Sequence, residues 1–253
     1  MILCNKRPYW LLLLSGCLCI PAAQADELRI AVASNFAPVL EQLAADFKKT
    51  SGQTVTMSAG ATGKLYTQIG SGAPFDLFFA ADSEKPSQLV SEHKAVAGTV
   101  YTYAIGQLVL WSTTLNLGDD DHARSTLKAA GFRHLAIANP ALAPYGVAAR
   151  QVLETLRLWE PLQGKLVFGE NIAQTLQFIE SGNAELGFIA QAQWMALPQQ
   201  QQGSHWQVPA ALHAPITQDA VILHDSAAAR AFMTYIQSAT ARAAIAMAGY
   251  TLP

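Results

Sequence analysis

The chain has almost no sulfur chemistry to offer. Of its 253 residues only Cys4, Cys17 and Cys19 are cysteines, so everything beyond residue 19 lacks a disulfide, a thiolate metal ligand and a cysteine nucleophile. Charge is also scarce. Asp, Glu, Lys and Arg make up 13% of the residues, the formal net charge is −2, and no Lys/Arg cluster follows the N-terminal segment; the electrostatic footprint of a nucleic-acid or anionic-membrane partner is therefore missing. Past that segment, no stretch approaches the ~20 apolar residues of a membrane span. His93, His122, His134, His205, His213 and His224 show neither H-x-x-x-H nor H-E-x-x-H spacing, and no serine sits in G-x-S-x-G. Neither a zinc hydrolase nor a serine hydrolase is indicated, and the chain is not read as an enzyme.

What is present is apolar and ordered. At 51% hydrophobic residues the chain can bury a core as one large or two medium domains. Lys6 and Arg7 precede an apolar run from Trp10 to Ile20, and Ala23-Gln24-Ala25 supplies a small-x-small cleavage signal before Asp26. This predicts a cleavable secretory signal peptide over 1–25 and an exported, mildly acidic mature protein of formal charge −4, since the leader carries two bases and no acid. The alternative at this end is Leu14-Ser15-Gly16-Cys17, which resembles a lipobox and would anchor the protein by a lipid on Cys17.

From Leu28 onward, apolar runs of strand length alternate with amphipathic helical stretches, the pattern of an α/β protein with parallel strands. Strands are expected at 28–33, 54–57, 75–80, 134–138, 166–168, 186–190 and 220–223. Helices are expected at 38–49, 63–69, 144–158 and 172–180, with two more at the C-terminus. The long run YTYAIGQLVLW (101–111) reads as a β segment passing between two lobes, and 196–215, with four consecutive glutamines, as a connecting loop. The expected division is a first lobe of 26–105 plus 218–253 and a second of 106–217.

The stretch SAGATGKLY (58–66) contains a Gly-Lys pair, but a P-loop needs Gly at the position of Ser58 and Ser or Thr at that of Leu65. What remains is a glycine-rich turn into a helix, whose unpaired first-turn amides can bind an anion. The same chemistry recurs at Ser34-Asn35, Ala61-Thr62-Gly63, Pro144-Tyr145-Gly146 and Glu170-Asn171-Ile172. Taken singly, Ser, Thr and Asn there are ordinary helix caps, and Lys64 is a solvated helix residue. Taken together, these junctions would suit a compact oxyanion held by neutral donors.

The segments AVASNF (31–36), SAGATGKLYTQI (58–69), GAPFDLFFAAD (72–82), NPALAPYG (139–146), GENIAQTLQFIESGNAELGF (169–188) and the C-terminal AMAGY resemble the molybdate-binding proteins of ABC importers, over essentially the whole chain from Asp26. The resemblance implies a type II periplasmic binding protein: two α/β lobes with a ligand cleft between them, monomeric, with molybdate or tungstate as ligand, no cofactor, and an inner-membrane ABC permease as partner. Carried over by position, it implies oxyanion contacts from Ser34 (hydroxyl and amide), Asn35, Thr62, and the amides of Tyr145 and Ile172. Some relatives add a tyrosine hydroxyl where this chain has Ala190, so Asn35, or Gln191, is expected to replace that donor. Sulfate, ferric ion or another small solute is the alternative ligand on the same fold.

Overall fold

The computed structural model describes Ile2 and residues 27–253; the expected signal peptide and Cys17 lie outside the described residues. In chain order the elements are β1 (Leu28–Ala33), α1 (Ala37–Ser51), β2 (Val55–Gly60), α2 (Thr62–Gly70), β3 (Leu77–Phe79), α3 (Glu84–Ser91), β4 (Tyr101–Gly106), β5 (Leu108–Ser112), α4 (Asp120–Ala129), β6 (Leu135–Ala138), α5 (Pro144–Thr155), α6 (Trp159–Leu162), β7 (Leu166–Gly169), α7 (Ile172–Glu180), β8 (Leu186–Ala190), α8 (Gln191–Ala196), β9 (Ser204–Gln207), β10 (Ile216–Ile222), α9 (Ala227–Ile236) and α10 (Ala239–Met247).

The first helix shows how local sequence sets an element. Pro38 occupies its first turn, where a missing N–H costs nothing. Val39, Leu40, Leu43, Ala44 and Phe47 form one buried face, and Gly52 ends the helix in the left-handed region at φ 73° with its N–H on the Lys48 carbonyl. Asn171 begins α7 differently, its side chain accepting from the amides of Ala173 and Gln174, a cap that contributes about 1 kcal/mol.

Two five-stranded sheets result, ordered β2-β1-β3-β10-β4 and β7-β6-β8-β5-β9. In the first, β1 runs parallel to β2 and β3 while β10 is antiparallel to β3 and β4. In the second, β6 runs parallel to β7 and β8 while β5 is antiparallel to β8 and β9. The two sheets thus share one plan, although the sequence shows no repeat. In each, the strand order reverses at one parallel strand, β1 or β6, and the crevice beyond the carboxyl end of such a strand is where α/β sheets bind ligands.

The run YTYAIGQLVLW is two strands broken at Gln107, β4 in the first sheet and β5 in the second. The chain returns to the first sheet through residues 213–215 into β10. One expectation fails here: 196–215 is not only a loop. It contains β9, which pairs with β5 and buries Trp206, because four glutamines masked the short alternating segment that follows them. The buried apolar cluster of the second half includes Ala33, Ala81 and Ile216 from the first, so the two lobes meet along a packed seam.

Candidate functional site

All four junctions reach one cavity. It is lined by Ala33, Ser34, Asn35, Gly60, Ala61, Thr62, Ala81, Ala143, Pro144, Tyr145, Asn171 and Ile172, and leaves about 10 Å³ for the centre of a water-sized guest. The strand order explains this convergence. Ser34 follows the reversal strand β1 and Thr62 follows its neighbour β2; α5 follows the reversal strand β6, and Ile172 follows its neighbour β7. The small side chains of Ala33, Ala61, Ala81 and Ala143 bring backbone close to the guest. No Lys, Arg or His is among the lining residues.

The donors differ in how they are committed. Ser34 N–H is spent inside the sheet on the Gly60 carbonyl at 3.0 Å, so of the two donors expected from Ser34 only the half-buried hydroxyl is open to a guest. Thr62 is 1% exposed, and its Oγ1 accepts from Ala81 N–H at 3.0 Å; with one lone pair occupied from behind, its own proton is the group left to donate. The amides of Thr62, Tyr145 and Ile172 lie in the first turns of α2, α5 and α7, where no intrahelical acceptor exists.

Asn35 stands otherwise than expected. It is 3% exposed, but its carboxamide nitrogen donates to Gln218 Oε1 at 2.9 Å and Tyr250 Oη at 3.1 Å, while Tyr250 Oη donates to the Asn35 carbonyl at 2.9 Å. Its side-chain donor is therefore turned to the protein interior, and its main-chain N–H is what it offers. Gln191 does not line the cavity; its carboxamide lies 3.6 Å from Met195 Sδ.

At Ala190 no side chain lines the cavity in place of the expected tyrosine hydroxyl. Gln193, buried one turn later, accepts from Ala190 N–H at 3.0 Å and donates to the Ile172 carbonyl at 3.1 Å, tying the start of α8 to the first turn of α7. Gln193, Gln218, Tyr103 and Tyr250 carry no motif signal except Tyr250, which belongs to the AMAGY ending. Burial raises the Tyr145 and Tyr103 phenols well above their ordinary value, and burial raises Tyr250 in spite of its bond with Asn35. All three stay neutral at physiological pH.

Electrostatically, three helix N-termini meet here. Each carries about +0.5 of a charge, so together they offer roughly +1.5 to an anion without any cationic side chain. Two contacts join the halves across the cleft mouth: Gly63 N–H donates to the Leu142 carbonyl at 2.9 Å, and Lys64 Nζ pairs with Glu170 Oε2 at 2.6 Å. Lys64 thus points to the opposite lobe rather than into the cavity. Both partners of that pair are over 40% exposed, and such pairs contribute about 0–1 kcal/mol. Lys64→Ala should accordingly change ligand affinity by no more than about 5-fold, a titration at two salt concentrations being the check.

Comparison with known proteins gives a consistent picture. The model of the family described as bacterial extracellular solute-binding protein matches residues 28–251. The chain is 47% identical over 234 residues to the molybdate-binding protein ModA of Azotobacter vinelandii, covering 91% of this chain and 92% of that protein. It is 42% identical to ModA of Rhodobacter capsulatus over 236 residues, covering 92% and 91% respectively. Among solved structures, the periplasmic molybdate-binding protein of Azotobacter vinelandii superposes with a TM-score of 0.84 at 42% identity, covering 89% of this chain and 99% of that one.

Proposed function

The chain belongs to the bacterial extracellular solute-binding proteins, and from that premise we propose that it captures molybdate between its two lobes as the solute-binding component of an ABC importer. It is a binding protein, not an enzyme. The observation that carries this reading is the meeting of uncharged donors from four strand-to-helix junctions around one small cavity with no basic residue in its wall. Such a wall suits a fully deprotonated tetrahedral oxyanion. Its main-chain amides can only donate, so a ligand that brings its own proton, as phosphate does near neutrality, finds few acceptors for it. An anion much smaller than molybdate leaves the same donors beyond good hydrogen-bonding distance. Tungstate, nearly equal in size, should compete with molybdate.

Binding also explains the lobed architecture. A guest held by Ser34 and Thr62 on one side and by the Tyr145 and Ile172 amides on the other contacts both halves only when they are together, so it favours the closed form by its differential affinity. The closed form then delivers the ion to an inner-membrane permease. Export to the periplasm by the N-terminal leader completes the reading.

Titration calorimetry of the protein from residue 26 with molybdate, tungstate, sulfate, phosphate and ferric citrate tests it. One-to-one binding of the first two alone is expected. Preference for sulfate or ferric citrate would replace molybdate with another solute on the same fold. Because no lining side chain titrates near neutrality, affinity for molybdate should stay flat from pH 6.5 to 9. A fall as pH rises through that range would point to a cationic contact.

A further inference from the structure

We propose that Gln218 is a positioning residue that couples the two halves of the anion site, an inference that rests on the oxyanion reading above. Its side chain is fully buried on β10, just past the second crossing between the sheets, where the pairing with β4 shifts register between Gln218 and Asp219. The carboxamide is engaged at both ends. Oε1 accepts from Asn35 Nδ2 at 2.9 Å and lies 3.0 Å from Tyr103 Oη, whose single proton it shares with the Ala80 carbonyl at 2.9 Å, and Nε2 donates to Tyr145 Oη at 3.1 Å.

Those partners come from different places. Asn35 belongs to the junction after β1 in the first sheet, Tyr145 opens α5 over the second, and Tyr103 lies on β4, which leads into the first crossing. Gln218 touches no cavity surface itself. It holds by their side chains two residues whose main-chain amides face the guest. Tyr145 reaches it only because Gly106 has no side chain, since a Cβ there would overlap the Tyr145 hydroxyl and lie 2.6 Å from Gln218 Nε2.

If the lobes part along this seam, Gln218 Nε2 and Tyr145 Oη separate, and whichever of the two stays shielded from water loses its partner at a cost. The bond made on closing therefore brings the amides of Asn35 and Tyr145 to one spacing. Gln218 sets how readily the site assembles and how long it stays assembled.

Gln218→Met keeps the length of the side chain and removes both polar ends; Tyr145→Phe removes only the hydroxyl. Each, with the double variant and the wild type, is titrated with molybdate by calorimetry, followed by stopped-flow for rates and melted without ligand. Gln218→Met should weaken binding at least 10-fold, chiefly through faster dissociation, and Tyr145→Phe about 3- to 10-fold. The double variant should match Gln218→Met within 2-fold, because the two changes break one bond. Losses that multiply, or an affinity for Gln218→Met within 2-fold of wild type even with a lowered melting temperature, would overturn the coupling role. Should Gln218→Met not fold, an unchanged affinity for Tyr145→Phe overturns it alone. A wild type that ignores molybdate removes the oxyanion reading first, an outcome visible before any variant is compared.

Discussion

Thr62→Val should weaken molybdate binding by about 10- to 150-fold. The substitution preserves shape and removes one hydroxyl at a position 1% exposed. A hydrogen bond to a charged group contributes about 1.5–3 kcal/mol, which converts to that range. The hydroxyl has two duties, however, and they separate experimentally. Oγ1 accepts from Ala81 N–H, and valine leaves that buried amide unpaired with or without ligand, so the ligand-free protein should also lose about 1–3 kcal/mol of stability. Thr62→Ser restores both bonds and should return affinity to within a few-fold of wild type. Calorimetry alongside thermal melting distinguishes the two: a lower melting temperature with full affinity would make Thr62 a structural acceptor and remove it from the site.

That double duty marks the boundary between what the sequence shows and what only the structure shows. Local elements were legible where a strong local signal existed. The strand 186–190 and the helix 172–180 agree with the structure to the residue, the first an unbroken apolar run and the second opened by the Asn171 cap. The four junctions were legible as hydroxyl, amide and glycine positions at strand ends. Strand order was not, because register between distant segments leaves no trace in local periodicity; yet it is the order of the strands that puts β1 and β6 at reversal points and so brings the junctions together. The direction of each polar atom was hidden as well. Nothing in Ser34-Asn35 announces that the Ser34 amide completes the ladder with β2 or that the Asn35 carboxamide turns inward to Gln218 and Tyr250. Gln193 and Gln218 look in sequence like any other glutamine of a glutamine-rich chain.

The inward turn of Asn35 also shapes how selectivity arises. A flexible side-chain donor can follow a smaller anion into the cavity. A main-chain amide on a residue held by Tyr250 at its carbonyl and by Gln218 at its side chain has less of that freedom, and Ile172, whose carbonyl accepts from Gln193, is restrained in the same way. Size discrimination would then rest on residues held from behind, the general condition under which a pre-organised site outperforms an adaptable one.

Gly106→Ala should weaken binding without altering a single donor. Gly106 ends β4 and its φ is not in the left-handed region, so alanine is permitted by the backbone and excluded only by its neighbours. In the closed arrangement a Cβ would overlap the Tyr145 hydroxyl and stand 2.9 Å from its ring carbon Cζ. Overpacking of this kind costs about 1–3 kcal/mol. With the lobes apart, Tyr145 would be withdrawn from Gly106 and only the contact with Gln218 Nε2, the end of a flexible side chain on the neighbouring strand, would remain, so most of the cost would fall on the closed state. Affinity should drop by about 5- to 150-fold while the melting temperature of the ligand-free protein falls by less than that loss alone would produce, and solution scattering at subsaturating molybdate should show a larger fraction of expanded molecules than wild type. Thr62→Val, by contrast, removes a contact and leaves closure sterically free, so its scattering at saturation should equal that of wild type. Equal affinity of Gly106→Ala and wild type would mean that Tyr145 need not approach β4 for the ion to be held, and closure along this seam would then have no part in capture.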